Sequence, residues 1–496
     1  MALTGAEYLE SIRDGREVWL HGEKVADVTT HPGFENSARF LASLYDTLHE
    51  DQHRKTLTWT TPRGAVSHKA FMVSRTRRHL AERIAAMEVW ARKHYGFMGR
   101  TPDYKGGLAV SLGSWPEFFA PHSDNCVRWY EKLADHVLFM NHIGVNPMVD
   151  RSKQPHELPD VNIRAVRETD SGIVVRGAKM VGTAAVFTHC NLVFSFSPVP
   201  LTDKDKDQAL VFIVPTGAPG LKLVSRPSYE LAAKTRSPFD HPLSSRFDEN
   251  DATLLFDDVH VPWENVLIYR DADKANRFFP LARVTQNLML HGCVRLGVKL
   301  EFLVGLLIKM AQQNGTVGFR GVRVRIGEII GYLHMVKAMV REACSHPDPG
   351  PGGSVVPAHR TIFALRALGP MIYPRVRDVM QRLGAGGFIQ LPSSASDLLA
   401  EELRPFLDTY YRGTGVDAHE RIKLWKLAWD AIGSEFGARQ ELFERNYAGN
   451  EDNVRLENLF LSEQNGDAAA MTGFVDQCLA DYDLHGWAAR TPWSDD

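Results

Sequence analysis

Six consecutive residues, Gly99-Arg100-Thr101-Pro102-Asp103-Tyr104, set a fixed cation, a helix-start signal and a phenolic donor side by side. Proline is favoured at the first helical position, where an N–H would be unpaired anyway, and threonine is a preferred N-cap. The spacing therefore predicts a helix that begins at Pro102, with Arg100 just outside it and Tyr104 on its first turn. A helix N-terminus carries unpaired N–H groups and partial positive charge. With Arg100 beside it, this end suits an anion, or an oxygen that becomes anionic. Taken alone, the same six residues also fit a capped surface helix with a solvated arginine.

Four further stretches carry reactive or unusual residues. Asn141-His142-Ile143-Gly144-Val145-Asn146-Pro147 places an imidazole that titrates near neutral pH, although a lone histidine there also fits a structural cap. Val181-Gly182-Thr183-Ala184-Ala185 combines small residues with a hydroxyl, suiting either the approach of a flat ring to the backbone or a tight turn. The run Ser237-Pro238-Phe239-Asp240-His241-Pro242-Leu243-Ser244-Ser245-Arg246 is followed by Phe256-Asp257-Asp258-Val259-His260-Val261-Pro262-Trp263-Glu264. The last is Phe436-Gly437-Ala438-Arg439-Gln440-Glu441-Leu442-Phe443-Glu444-Arg445-Asn446-Tyr447-Ala448-Gly449-Asn450.

Several common motifs are missing. There is no GxxxxGK[ST], HExxH or GxSxG. One GxGxxA, Gly413-Thr414-Gly415-Val416-Asp417-Ala418, follows a segment that reads as helix, where a dinucleotide site needs a strand. It is expected to be a turn between two helices, so no nicotinamide site is predicted.

The elements that must position these residues fall into three regions. With 496 residues the chain is longer than a single core usually covers. Hydrophobic residues make up 44% and charged residues 24%, ordinary for a globular protein. A net charge of −3 without a long basic run argues against bulk nucleic-acid or polybasic membrane binding. The N-terminus lacks a signal peptide's pattern, and the longest apolar run, near 300–310, is too short to span a bilayer. The five cysteines are scattered and form no CxxC, which fits free thiols in a cytoplasmic protein and no metal site.

Residues 1–145 read as a helical domain. It opens with a Thr4/Glu7 capping box, and helical periodicity follows at 36–49, 76–95 and 115–141. The only extended piece expected there is a short one at 55–67. Residues 146–272 read as strands, suited to a small β-barrel or sandwich, with a mobile polar loop at 202–207. Residues 273–496 read as a helical bundle and tail, with helical segments at 276–313, 319–346, 356–384, 396–413 and 416–446.

Together, the stretch 99–104, His142 with the following Asn146-Pro147, the 238–246 run, the 256–264 run and the 436–445 run resemble a known family. It is the oxygenase component of the two-component, reduced-FAD-dependent phenol hydroxylases, the 4-hydroxyphenylacetate 3-monooxygenase family. That family includes chlorophenol monooxygenases and hydroxylases acting on tyrosine-like units in antibiotic pathways. The resemblance covers nearly the whole chain. It implies an α+β multidomain, acyl-CoA dehydrogenase-like fold: an N-terminal α-domain, a middle β-barrel and a C-terminal four-helix bundle, as a homotetramer.

Carried across by position, the resemblance makes Arg100, Tyr104 and His142 the polar triad around a phenol. It sets FAD, bound as FADH2, against Asn146, Met148, Val149, Asp150, Arg151, Gln154 and Glu157, with Thr183 facing the flavin near N5. Tyr447, Ala448, Gly449 and Asn450 would reach the cofactor from the bundle, and a loop with Ser197 and Pro198 would close over substrate. Where the family commonly has Gly-Asp, this chain has Gly449-Asn450, and residues 140–145 differ from the commoner Thr-His pattern. The implied partners are a separate NAD(P)H:flavin reductase and, for a tethered substrate, a carrier protein.

The implied reaction is ortho-hydroxylation of a para-substituted phenol to a catechol through a flavin C4a-hydroperoxide. A phenol has a pKa near ~10 and is neutral at pH 7, so the site must promote its anion. Arg100 would favour the anion, His142 would take the proton, and Tyr104 would orient the oxygen. Two other readings stand beside this one. The first is a flavin-dependent acyl-CoA dehydrogenase or dehydratase on the same fold, which would need a catalytic glutamate or iron–sulfur ligands. The second is a non-enzymatic helical scaffold.

Overall fold

The computed structural model describes residues 2–150, 152–196 and 199–488. Its N-terminal helices are Gly5–Ser11, Glu35–Asp46, Arg77–Lys93, Pro102–Ser114 and Ser123–His136. The first begins as expected: Thr4 Oγ1 accepts from the Glu7 N–H, and the Glu7 carboxylate accepts from the Thr4 N–H at 2.7 Å.

The expected extended piece is the pair of strands Thr58–Thr60 and Val66–His68, after a short helix Asp51–Leu57, but it is not the only one, which corrects the sequence reading. A hairpin, Glu17–Leu20 and Glu23–Val25, leaves the helices and joins the central sheet. Glu17–Leu20 pairs in parallel with Leu221–Ser225, Val18 lying opposite Leu223. The expected helix at 115–141 also breaks up. Pro116–Phe119 forms a 3-10 turn, Ser123–His136 is the helix proper, and Val137 in the left-handed region (φ 53°) ends it. The chain then runs as a strand, Met140–Val145, so His142 lies on a strand and not at a helix end.

Two sheets form the middle of the molecule. The larger runs Glu23–Val25, Glu17–Leu20, Leu221–Ser225, Asp251–Pro262, Gly172–Thr183, Arg164–Thr169. The smaller runs Val266–Tyr269, Leu210–Pro215, Cys190–Phe196, Met140–Val145. Among the described residues the sheets do not close, so the expected barrel is corrected to two open sheets. One edge of the smaller sheet, Met140–Val145, lies against the strand Gly172–Thr183 of the larger sheet without a ladder between them, and it also touches the helix Pro102–Ser114. Covering an edge protects it as closure would.

The charged segment expected to be a mobile loop is a 3-10 turn, Asp203–Gln208. Thr202 and Asp205 cap each other, Asp205 is buried against His156 Nδ1 at 3.1 Å, and Gln208 donates to the Pro155 carbonyl at 2.8 Å. Those partners lie some fifty residues away in sequence, beyond the reach of any periodicity.

The bundle is built from Val284–Gln313, Arg320–Ser345, His359–Gly384 and the consecutive pair Ala418–Ile432 and Glu435–Asn446. Gly433 and Ser434 split that pair, the Ser434 hydroxyl accepting from the Gly437 N–H. The expected helix at 396–413 reduces to Ala395–Leu398 and Arg404–Tyr410. The GxGxxA stretch is a turn between helices, with Asp417 capping the second. Val284–Gln313 is buried on most sides because Arg77–Lys93 and Pro102–Ser114 pack on it opposite the bundle. Among the described residues no helix is long and apolar enough to cross a membrane.

Candidate active site

The helix Pro102–Ser114 starts at the expected residue, with Thr101 as N-cap and Pro102 in the first turn. Its side chains are buried almost all round, and its glycines Gly106 and Gly107 face neighbouring backbone. A Cβ at Gly107 would meet the Asn287 carbonyl at 2.6 Å, which is how closely the long bundle helix approaches. A Cβ at Gly99 would meet the Phe443 ring at 2.1 Å, so glycine there lets the bundle lay Phe443 against the helix start.

Arg100 is therefore no solvated surface residue; it is 7% exposed. Its guanidinium carbon lies 4.3 Å from the Tyr104 ring centroid, 5.0 Å from Phe443 and 5.6 Å from Tyr447. Its hydrogen bonds are long ones, to the Gly99 carbonyl (3.3 Å) and the Tyr447 carbonyl (3.5 Å). The Tyr104 ring lies 5.8 Å from the His142 ring and 5.3 Å from His291. Burial pushes the Tyr104 phenol up, so it stays a donor at neutral pH.

The residue that sequence reasoning missed is Lys105. It is almost wholly buried and its Nζ lies 2.9 Å from His142 Nδ1 and 3.3 Å from Asn141 Oδ1. Burial and the Arg100 charge push its ammonium well below the ordinary lysine value. Burial, Lys105 and Arg100 likewise push the His142 imidazole well below 6.5. A lysine inside an otherwise apolar helical run, Gly106-Gly107-Leu108-Ala109-Val110, was the signal available.

Arg100 and Lys105, like Arg83 and Lys179, are buried basic side chains without an ion-pair partner among the described residues, unlike the cations of the adjoining bundle. Arg295 and Lys299 are tied to Glu444 at 2.6 and 2.9 Å. Arg439 is tied to Asp251 at 2.8 Å and Glu249 at 3.3 Å. Among the described residues no carboxylate pairs with the Arg100 or Lys105 side chain; Glu249 instead accepts the Arg100 backbone N–H. A buried charge without a partner is costly, so this pair marks a place for an anion.

Below the helix start, Asp103 Oδ2 lies 3.3 Å from His291 Nε2. Burial pushes its carboxyl up, but His291 overcomes this and holds it down to about 2. An acid on the first turn also complements the helix dipole.

The other expected residues divide by surroundings. Thr183 ends the strand Gly172–Thr183 and donates to Asp251 Oδ1 at 2.5 Å. Asp251 and Glu249 both bind Arg439, so Thr183 and Arg100 hang on one chain of charged groups. Asn146 accepts from Lys179 Nζ at 2.6 Å, and burial pushes Lys179 down to about 7. Asp150 accepts from the N–H and hydroxyl of Ser152, and Gln154 and Glu157 cap the turn Pro155–Glu157; these bonds are local. Ala448 accepts from Arg366 Nε at 2.6 Å, Gly449 has φ +114°, and Asn450 caps the helix Glu451–Gln464. Asn450 thus does locally what an aspartate would do. Arg151, Ser197 and Pro198 lie outside the described residues.

A flavin fits this surface. Met148, Val149 and Val181 are more than half exposed, two or three residues beyond Asn146 and Lys179, which tie the two strands together. They offer apolar faces beside the exposed polar segment that ends at Glu157. Small residues, Gly182, Ala184 and Ala185, flank Thr183, whose hydroxyl donates to Asp251 and so has only acceptor capacity left. A separate cleft of about 860 Å³, lined by Tyr95, Phe239, Val298, Phe302 and Leu424, includes none of the expected site residues.

Fold and site together define a class: helical and sheet regions joined to a bundle, with an unpaired, aromatic-walled cation site at their junction. The chain belongs to the 4-hydroxyphenylacetate 3-hydroxylase family, whose N-terminal model matches residues 4–268 and C-terminal model residues 275–476. It is 44% identical over 488 residues to a 4-hydroxyphenylacetate 3-monooxygenase oxygenase component from Pseudomonas aeruginosa, covering 98% of this chain and 94% of that protein. It is also 44% identical over 490 residues to a (3S)-3-amino-3-(3-chloro-4-hydroxyphenyl)propanoyl-[peptidyl-carrier protein] monooxygenase from Streptomyces globisporus, covering 98% and 92%. A crystal structure of a 4-hydroxyphenylacetate 3-monooxygenase oxygenase component with FAD and 4-hydroxyphenylacetate superposes with a TM-score of 0.90 at 34% identity, over 96% of this chain and 99% of that one. A 4-hydroxybutyryl-CoA dehydratase from N. maritimus, TM-score 0.85 at 18% identity over 99% and 98%, shares the fold. The acyl-CoA dehydrogenase-like architecture therefore holds, apart from the closed barrel.

Proposed function

We propose that this chain is the oxygenase component of a two-component monooxygenase that hydroxylates a para-substituted phenol next to its hydroxyl group. The observation that carries the reading is the pair of buried basic side chains without carboxylate partners, Arg100 and Lys105, on either side of Tyr104, with His142 facing them from the strand Met140–Val145. A neutral phenol is a modest nucleophile, and its anion pushes electron density into the ring. Arg100 favours that anion. Tyr104, kept protonated by burial, donates a hydrogen bond and fixes the oxygen. His142 receives the phenol proton. The surrounding rings of Phe443, Tyr447 and Phe194 keep water from the oxygen.

The cofactor is FAD in its reduced form, which when bound supplies oxygen activated from O2. Asn146, Met148, Val149, Asp150, Gln154 and Glu157 hold it on the sheet side. Thr183 would meet the flavin as an acceptor, and Tyr447 through Asn450 would close the bundle side. Reduced flavin comes from a separate NAD(P)H:flavin reductase in the same cytoplasm. The assembly is a homotetramer, supported by the exposed Leu456, Leu459, Phe460, Phe474 and Leu479 on the last two long helices. The substrate is a free phenol, or a tyrosine-derived unit on a carrier protein.

A dehydrogenase reading needs a bundle glutamate able to act as base. Among the described residues the only fully buried glutamate of the bundle is Glu444. Arg295 and Lys299 hold it as a carboxylate, which makes it a poor base.

The test is oxygenation of reduced FAD by the protein with and without a para-substituted phenol. Catechol formed only with protein, phenol and reduced FAD together supports the reading. Oxygen consumption unaffected by every free or carrier-bound phenol, with no catechol, overturns it.

A further inference from the structure

We propose that Lys105 is a positioning residue of the phenol site, and that its amine receives, through His142, the proton the phenol gives up. This rests on the phenol reading above.

The geometry orders the groups in a line. Asn141 donates through Nδ2 to Asn191 Oδ1 at 3.1 Å, which turns its own Oδ1 toward Lys105. Asn191 in turn donates to Thr216 Oγ1 at 3.1 Å. Lys105 Nζ is thus held between Asn141 Oδ1 and His142 Nδ1, leaving Nε2 of the imidazole on the opposite edge. Lys105 is buried behind His142, which is itself largely withdrawn from water.

His142 alone is a poor resting place for a proton. An imidazolium there would lie beside Arg100 and Lys105, both cationic or potentially so, and out of water. An amine is ordinarily the stronger base, by about four units in water, and Asn141 Oδ1 at 3.3 Å is placed to accept from the Lys105 ammonium, so the proton is assigned to Lys105. The step balances. The phenol O–H bond breaks and its proton bonds to His142 Nε2. The Nδ1–H bond breaks and that proton bonds to the lone pair of neutral Lys105 Nζ. A neutral phenol, imidazole and amine become a phenolate, a neutral imidazole of the other tautomer and an ammonium. Net charge stays zero, and Nε2–H is left donating to the phenolate.

The charged groups acting on Lys105 are Arg100, which opposes its protonation, and Glu249, which favours it from beyond contact. The Tyr104 ring, 5.3 Å from Nζ, also favours the cation. His142 faces Lys105 and Arg100. With the pocket empty, burial and Arg100 disfavour the Lys105 ammonium; a phenolate supplies the missing counter-charge.

The test uses the full chain and 4-nitrophenol, whose anion alone absorbs visible light. Its ionisation midpoint on the protein is read by absorbance against pH, for wild type, Lys105→Met and Lys105→Ala. The expected result is a midpoint at least about one unit lower on wild type than on Lys105→Met, a tenfold change in the equilibrium. A small primary alkylamine restores it in Lys105→Ala. In a weakly buffered indicator solution, wild type forms the bound anion without releasing a proton. Equal midpoints in wild type and Lys105→Met overturn the inference. So does release of one proton per anion formed on wild type, a measurement that decides alone where the variants do not fold. A wild type that binds no 4-nitrophenol and no other para-substituted phenol overturns the phenol reading itself.

Discussion

Thr183 donates a hydrogen bond from its hydroxyl to Asp251, at 2.5 Å, and Asp251 is in turn held by Arg439 from the bundle. Burial pushes the Asp251 carboxyl up, but Arg439 and Arg226 overcome this and keep it ionised. An ionised carboxylate only accepts, so the Thr183 hydroxyl is committed as a donor to Asp251, and toward the proposed flavin its oxygen can act only as an acceptor. Thr183→Val should therefore leave oxygen consumption near wild type while more of it ends as hydrogen peroxide and less as catechol. The ratio of the two products, measured with excess phenol, checks this. An unchanged ratio removes Thr183 from the cofactor's surroundings.

Arg100 favours the phenolate and touches Tyr104, Phe443 and Tyr447 through its guanidinium. Arg100→Ala should lower phenol turnover by about a hundred-fold or more, the scale on which a charge-stabilising donor acts. Affinity for reduced FAD should fall far less. Rates and flavin titrations on the same preparation separate the two, and equal turnover would sink the phenolate role.

Glu444 holds Arg295 and Lys299 together in the core. Burial pushes its carboxyl up, and the two cations overcome that, holding it down to about 2 from an ordinary 4.5. A carboxyl depressed on folding contributes stability that is fully present above its unfolded pKa. That stability, about 3 kcal/mol at most, is lost as pH falls from about 4.5 toward 2. Glu444→Gln should cost about 3–5 kcal/mol at pH 7, because two buried cations lose their partner. Urea unfolding at pH 7 and near pH 3 should show the gap between the variant and wild type narrowing at the lower pH.

Gly99→Ala puts a methyl into the Phe443 ring. Overpacking of this kind costs about 1–3 kcal/mol. The same displacement moves Phe443 off Arg100, so phenol affinity should fall with stability. A variant with wild-type melting and phenol binding would show that the ring yields freely.

Asn450 accepts from the Asp452 and Asn453 N–H groups at 3.0 and 3.3 Å. Asn450→Ala should cost about 1 kcal/mol as a lost N-cap. Asn450→Asp should keep the cap and leave flavin binding near wild type. A large change in flavin affinity for the aspartate variant would place this side chain on the cofactor itself.

The sequence by itself settled whatever depends on neighbours a few residues apart. The Thr4/Glu7 capping box, the helix start at Thr101-Pro102 and the turn at Gly413–Ala418 are rules of three or four residues. The family was legible in the same way, because its motifs are contiguous runs. Only the tertiary structure decided that Glu17–Leu20 leaves the helical region to pair beside Leu221–Ser225. It alone decided that Met140–Val145 is a strand lying against the larger sheet without a ladder between them, so that no barrel closes, and that the polar turn at 203–208 is pinned by His156. It alone put Lys105 against His142, 37 residues on, and left Arg100 without the carboxylate that Arg439 and Arg295 have. Local propensity reaches about one helical turn. A buried charge finds its partner, or is left without one, wherever packing brings distant segments together, and that is decided by burial of the whole chain.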